Sequence, residues 1–193
     1  MTTRELVWEQ ALGRQTRLTS SLYRYRIDND YRDWRDAFDG AGNWIGYQAI
    51  YGWQITKGAE VELEHVWENG VRLRTSYARQ DTRDENGRLP VNTPHNIAKF
   101  NLSAPLVGDY LRAGLGMRYL GRRLDQKDNY QAAALLADLT LSSRWHNWTA
   151  SFSVRNLGNN KSYNEVSGAL INDRGIYPAD GRNVWLQLGY EFK

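Results

Sequence analysis

The apolar positions of this chain recur every second residue, not every third or fourth. Residues 181–193 read GRNVWLQLGYEFK, with Val184, Leu186, Leu188, Tyr190 and Phe192 two apart and Asn183, Trp185, Gln187, Gly189 and Glu191 between them. A period of two marks a strand whose two faces meet different surroundings. The same alternation returns upstream. Leu6 and Trp8 carry it in residues 3–10, and Leu18, Ser20 and Leu22 begin it in residues 16–27. There the apolar role then passes to Tyr23, Tyr25 and Ile27, a change of phase that predicts a bulge. Within residues 50–67, Ala59, Val61, Leu63 and His65 alternate with Glu60, Glu62 and Glu64. Within 71–80, Val71, Leu73, Thr75 and Tyr77 oppose Arg72, Arg74 and Ser76. Residues 97–104 carry Ala98, Phe100 and Leu102, and residues 110–121 set Leu111, Ala113, Leu115, Met117 and Tyr119 against Arg112, Gly114, Gly116 and Arg118. Residues 132–143 are rich enough in Ala and Leu for a helix, but Asp138, Thr140 and Ser142 fall on one side at period two and predict a strand. Trp148, Ala150, Phe152 and Val154 mark one more before the last.

About nine strands therefore follow from periodicity alone. Their connections alternate in length. Short ones fall near Gly13, at Asn69-Gly70, at residues 105–109 and at residues 144–147; Asn69-Gly70 is a two-residue hairpin signal. Long ones fall at residues 28–43, 81–96, 122–130 and 156–180. Tight turns on one side and long loops on the other mark an up-and-down barrel. Three carboxylates on one strand face are unsuited to a dry core and suit a wet lumen or solvent. The pattern predicts an all-β, antiparallel up-and-down transmembrane β-barrel, with cross-strand ion pairs between the Glu face of residues 50–67 and the Arg face of residues 71–80. An odd strand number leaves two parallel edges, so the chain is expected to be part of a larger barrel, open on its own.

Composition agrees. The 193 residues include 12 Tyr and 8 Trp but only 4 Phe, which suits aromatic girdles at a membrane–water boundary. No apolar run reaches the length of a membrane helix, and alternating strands need none. Cys is absent, excluding disulfides and thiolate metal sites. The formal net charge of +3 is too balanced for a nucleic-acid binder. His65, His95 and His146 lack metal-ligand spacing, no Ser, His and acid stand in a catalytic motif, and neither an enzyme nor a cofactor is expected. The opening MTTRELVWEQ lacks the apolar core of a signal peptide.

TSSLYRYRI (19–27), KGAEVELEHVW (57–67), FNLSAPL (100–106), SFSVRNLGNNKSY (151–163) and YPADGRNVWLQLGYEF (177–192), in that order, resemble the C-terminal barrel of TonB-dependent outer-membrane receptors across essentially the whole chain. The resemblance implies a fragment, residues 1–193, of a barrel of about 22 strands whose lumen holds an N-terminal plug, lodged in the outer membrane of a Gram-negative bacterium. No plug, TonB box or signal peptide is recognisable in this sequence. It implies uptake of a ferric siderophore or similar scarce nutrient, driven by the TonB complex. Under it, Arg72, Arg74, Arg112 and Arg118, with Glu60, Glu62 and Glu64, face the plug or an anionic ligand, or else line a solvated lumen as ion pairs. Trp34, Trp44, Tyr47 and Tyr163 lie in outer loops where ligand capture belongs, or anchor them at the interface. Tyr190 and Phe192 resemble the terminal signal read by the barrel assembly machinery, and equally serve as lipid-facing wall. Expected partners are outer-membrane lipid, that machinery, the TonB complex and plug of a full-length parent, and the ligand. Two other readings stand beside this one: a small self-contained outer-membrane barrel acting as adhesin or passive pore, and a soluble Tyr- and Trp-rich binding module.

Overall fold

Residue alternation becomes, in the computed structural model, one antiparallel sheet. Residues 1–125, 128–161 and 180–192 are described, residues 32–34 by backbone alone. The strands are β1 (Thr2–Leu12), β2 (Thr16–Phe38), β3 (Trp44–Val66), β4 (Arg72–Asp84), β5 (Asn96–Val107), β6 (Leu111–Leu120), β7 (Arg123–Leu124), β8 (Tyr130–Gln131), β9 (Ala134–Trp145), β10 (Trp148–Arg155) and β11 (Asn183–Tyr190). Nine of them form a meander in the order β1-β2-β3-β4-β5-β6-β9-β10-β11, with β7 and β8 a separate pair. The sheet is open, with β1 and β11 as its edges.

Register carries each polar set across the sheet in line. Glu64 lies opposite Arg74, Arg74 opposite Asn101, Asn101 opposite Gly116 and Gly116 opposite Asp138. The apolar sets align in the same way: Phe100 lies opposite Met117, Met117 opposite Ala137, and Leu141 opposite Phe152. One face is thus polar and the other apolar. The apolar face is not covered: Leu6 and Leu186 are each 68% exposed and Leu188 is 66% exposed. Among the described residues the buried apolar side chains are Pro94, in a connection, and Ala134 and Leu136, and the latter two stand on the polar face. A water-soluble domain of this length buries its apolar face against a second layer. This sheet does the reverse, as a wall solvated by hydrocarbon must.

At the short-turn end, exposed Trp67, Tyr110, Trp145, Trp148 and Tyr190 form an aromatic rim. The turn after β3 encloses three residues rather than the expected two. Trp67 N donates to Val71 O at 2.9 Å, and Gly70 takes φ 80° so that its own N–H reaches Trp67 O. A left-handed glycine closing a three-residue hairpin loop keeps the twist of the flanking strands.

Three further expectations are corrected. No register shift occurs within residues 16–27; the shifts in the β2–β3 pair begin at Asp28. The change of phase instead places Tyr23 and Tyr25 on the polar face, rings stacked 5.8 Å apart, with Tyr23 lying over Gly58, which has no side chain to displace it. Residues 28–43 are not a long loop but strand almost to the tip, because β2 and β3 continue pairing up to Phe38 and Trp44. Residues 122–130 contain the β7–β8 hairpin.

Candidate functional site

On the polar face, β3 sets Glu60, Glu62 and Glu64 between β2 and β4. Arg74 on β4 reaches Glu62 at 3.0 Å and Glu64 at 3.4 Å, and Arg17 on β2 reaches Glu64 at 2.6 Å. The predicted ion pairs across β3 and β4 are therefore formed, and Arg17 extends them. Arg74 is 60% exposed, so solvent screens each such pair and leaves it little weight in stability. Their effect is to pre-arrange a charged wall more than to hold the sheet. Glu60 joins no described ion pair; it stands opposite Ser21 and Ala78.

The four arginines do not form one cluster. Arg72 and Arg74 border a hollow of about 550 Å³ floored by Gly114 and Gly116, with Asn101, Asp138 and Thr140 on its far side. The two glycines leave the backbone bare there. Arg112 instead braces the short-turn end, donating to Gly70 O at 3.2 Å and Ser103 Oγ at 3.0 Å. Arg118 stands directly opposite Lys99 and borders a second hollow of about 470 Å³ with Arg155, Asn156 and Asp138.

Arg155, missed by sequence reasoning, lies over the Trp185 ring at 4.6 Å. Asn156 is the other omission. Its backbone N–H bonds Asp138 Oδ1 at 2.8 Å, its side-chain amide donates to Asn160 O and Asp180 O, and its carbonyl accepts from Asn160 N. At φ 53° it turns the chain out of β10, and it is 4% exposed. Asn159 then accepts from Arg182 N at 2.9 Å, tying the end of β10 to the start of β11. These contacts are the physical content of the asparagine-rich residues 156–160.

At the opposite end of the wall, β2 and β3 outrun their neighbour. β4 pairs β3 only as far as Gln54, so residues 44–53 belong to a two-stranded ribbon, about 33 Å of chain. Tyr31 packs edge-on to Tyr51, and Trp44 edge-on to Tyr47 at 5.5 Å, with Trp44 Nε1 donating to Asp36. Asp39 builds the tip. Its carboxylate accepts from the Asn43 amide side chain and from the backbone N–H of Asn43 and Ala41. The Asn43 side-chain bond foremost, then the backbone donors, hold its carboxyl below the ordinary value of 3.8. Trp44 and Tyr47 thus sit near the ribbon tip. Trp34 lies on the ribbon by its backbone, its side chain outside the described residues, and Tyr163 lies outside them altogether. Tyr190 and Phe192 are at the other end, packed ring to ring at 4.8 Å beside Trp148.

A family model described as TonB dependent receptor-like, beta-barrel, matches residues 2–157. No curated protein sequence matches the chain. Among solved structures, the ferric-catecholate import receptor Fiu from K12 E. coli is 21% identical with a TM-score of 0.69, over 98% of this chain and 27% of that one. FpvA of P. aeruginosa bound to heterologous pyoverdines is 18% identical with a TM-score of 0.70, over 98% of this chain and 27% of that one. The copper transporter OprC is 18% identical with a TM-score of 0.72, over 98% of this chain and 31% of that one. The chain spans less than a third of the length of each of these proteins. An open sheet with an apolar outer face and a charged inner one, matched by that family model over most of its length, belongs to the TonB-dependent receptor β-barrel family, a family of the Gram-negative outer membrane.

Proposed function

We propose that the chain is the C-terminal wall of a receptor that takes up a ferric siderophore or a similar metal-carrying nutrient. The observation that carries this reading is the two-sidedness of the sheet: bare apolar side chains on one face, and on the other Arg17, Glu62, Glu64 and Arg74 linked as ions. Similar structures include an iron–catecholate importer, a pyoverdine receptor and a copper transporter, and cargo of that kind suits this reading. The aromatic ribbon of β2 and β3 faces outward and meets the ligand, because rings bind planar ligand groups at small entropic cost. The hollow bordered by Arg72 and Arg74 meets a plug or an anionic ligand by charge-assisted hydrogen bonds. A plug supplied by the rest of the protein gates passage, and the TonB complex supplies the energy. The protein transports and does no covalent chemistry.

The test is uptake of iron-55 siderophores of catecholate, hydroxamate and mixed-ligand classes, in cells whose only such receptor contains this chain. Uptake of one class that stops when TonB is deleted supports the proposal. Uptake at the same rate without TonB would sink it and point to a passive pore. Replacing Tyr47 and Trp44 by Ala is expected to weaken apparent affinity by about tenfold, from the loss of one or two ring contacts.

A further inference from the structure

Two cross-strand registers place three cations side by side on the apolar face. Arg4 lies opposite Arg24, and Arg24 lies opposite Lys57. All three are exposed, and none forms a hydrogen bond or ion pair with a described residue. The nearest carboxylate in register is Asp81 opposite Lys57, and it is held by Arg83 at 2.9 Å. Like charges directly opposite on neighbouring strands repel, so a row of this kind is unfavourable unless an anion joins it.

The surroundings of the row specify what sort of anion. Arg4, Arg24 and Lys57 border a shallow hollow of about 440 Å³ together with Leu6 and Leu22, and Glu5, Tyr23 and Gly58, whose strand positions belong to the opposite face, complete its lining. Leu6 and Leu22 also border a second hollow of about 420 Å³, lined further by Trp8, Ala59, Val61 and Tyr77, with Arg79 at its margin. A charged recess and an apolar groove thus share two leucines. A ligand that fills both has an anionic head and a hydrocarbon tail. Height along the wall agrees. Arg4 stands eight positions from Leu12 at the short turn, about 27 Å along the strand and about 21 Å up a wall tilted by about 40°. That is close to the height of an apolar belt of about 25 Å. The row therefore stands at the rim towards the long connections, where headgroups of the outer leaflet lie.

We propose that Arg4, Arg24 and Lys57 form a binding site for a phosphate-bearing lipid headgroup of the outer leaflet, with an acyl chain of the same lipid in the groove below. This rests on reading the sheet as an outer-membrane wall. Guanidinium forks on Arg4 and Arg24 suit phosphate oxygens in paired hydrogen bonds, and Lys57 adds a point charge.

The protein is assembled in the outer membrane, extracted in detergent and incubated with lipid A carrying two, one or no phosphates, and separately with inorganic phosphate. Native mass spectrometry reads what is retained. Retention is expected to follow phosphate number, with the doubly phosphorylated lipid held at least tenfold better than the phosphate-free one. Millimolar inorganic phosphate is expected not to displace it. The combined Arg4→Gln, Arg24→Gln and Lys57→Gln variant is expected to lower retention to the phosphate-free level, and the Arg4→Lys, Arg24→Lys variant to keep most of it. Equal retention of all three lipids, displacement by millimolar phosphate, or unchanged retention in the Gln variant overturns the proposal. Should that variant fail to assemble, the three lipids tested on the unaltered protein decide the matter. Absence of the unaltered protein from the outer membrane overturns the membrane reading and this site together. Presence there without phosphate dependence overturns the site alone.

Discussion

Single residues matter here where the backbone leaves regular pairing. Asn156 is the clearest case, because three side-chain hydrogen bonds, a backbone bond to Asp138 and a left-handed backbone meet at one buried residue. Alanine there keeps only the two backbone bonds, to Asp138 Oδ1 and from Asn159 N. It leaves Asn160 N and two carbonyls to find other partners and pays the left-handed backbone cost of about 1–2 kcal/mol. We expect Asn156→Ala to destabilise the protein by roughly 2–4 kcal/mol, seen as a lower urea midpoint after insertion in vesicles. Asn156→Gly separates the two causes, since it removes the hydrogen bonds but not the conformational freedom. None of this was legible as chemistry from the sequence. The segment was recognisable only by resemblance, because two of its bonds run to Asp138 and Asp180, and proximity to those residues comes from strand pairing.

Elements were read best where alternation was strict and worst where polar residues masked it. The ribbon of β2 and β3 holds Asp30, Asp33, Asp36 and Asp39, and its tip holds Gly40 and Gly42, a composition that reads as loop. The strands continue because each has the other's backbone to bond, whatever the side chains prefer. At the tip, Asp39, Gly42 and Asn43 repeat an arrangement seen again at Asp84, Gly87 and Arg88: an Asp carboxylate accepting the N–H four residues on, and a left-handed Gly between. Because the folded Asp39 carboxyl titrates below 3.8, its contribution is present above that value and is lost as pH falls through the lower folded one. Amide exchange at Ala41 and Asn43 is therefore expected to follow the ordinary dependence of exchange on pH down to about pH 4, and protection to fall below it. Asp39→Ala should remove the protection at every pH. The two faces of one strand give a sharper test. Arg at Leu139, on the lipid side of β9, is expected to cost about 2–4 kcal/mol. Arg at Thr140, one residue on and facing the wet side, is expected to cost under about 1 kcal/mol. Urea titrations of the two variants in vesicles compare them, and equal costs would contradict the membrane reading.

At the scale of the whole sheet, the wall is open, with β1 and β11 as its edges. β11 offers one unpaired edge, and Tyr190 and Phe192 lie just where it ends, ring against ring, with Phe192 88% exposed. An assembly machine that recognises strands by adding them to an open edge meets that pair early. Tyr190→Ala with Phe192→Ala is expected to lower the amount reaching the outer membrane several-fold at unchanged synthesis, measured by fractionation and pulse labelling. Loss of stability after insertion with normal arrival would instead make the two rings wall residues only.

Residue order alone determined which side chains share a face wherever alternation is strict; in β2, where the apolar role passes to Tyr23 and Tyr25, pairing with β1 and β3 decided that these rings stand on the polar face. Alternation at period two is a local property, complete within ten residues, and so are the turns at Gly13 and Gly70. Tertiary structure decided everything that depends on which strand lies beside which. Arg17 meets Glu64 across 47 positions of chain, Tyr23 covers Gly58, and Arg4, Arg24 and Lys57 become a row only when β1, β2 and β3 pair in one register. No local pattern encodes those meetings, because sliding one strand by two residues keeps every side chain on its face and changes every neighbour.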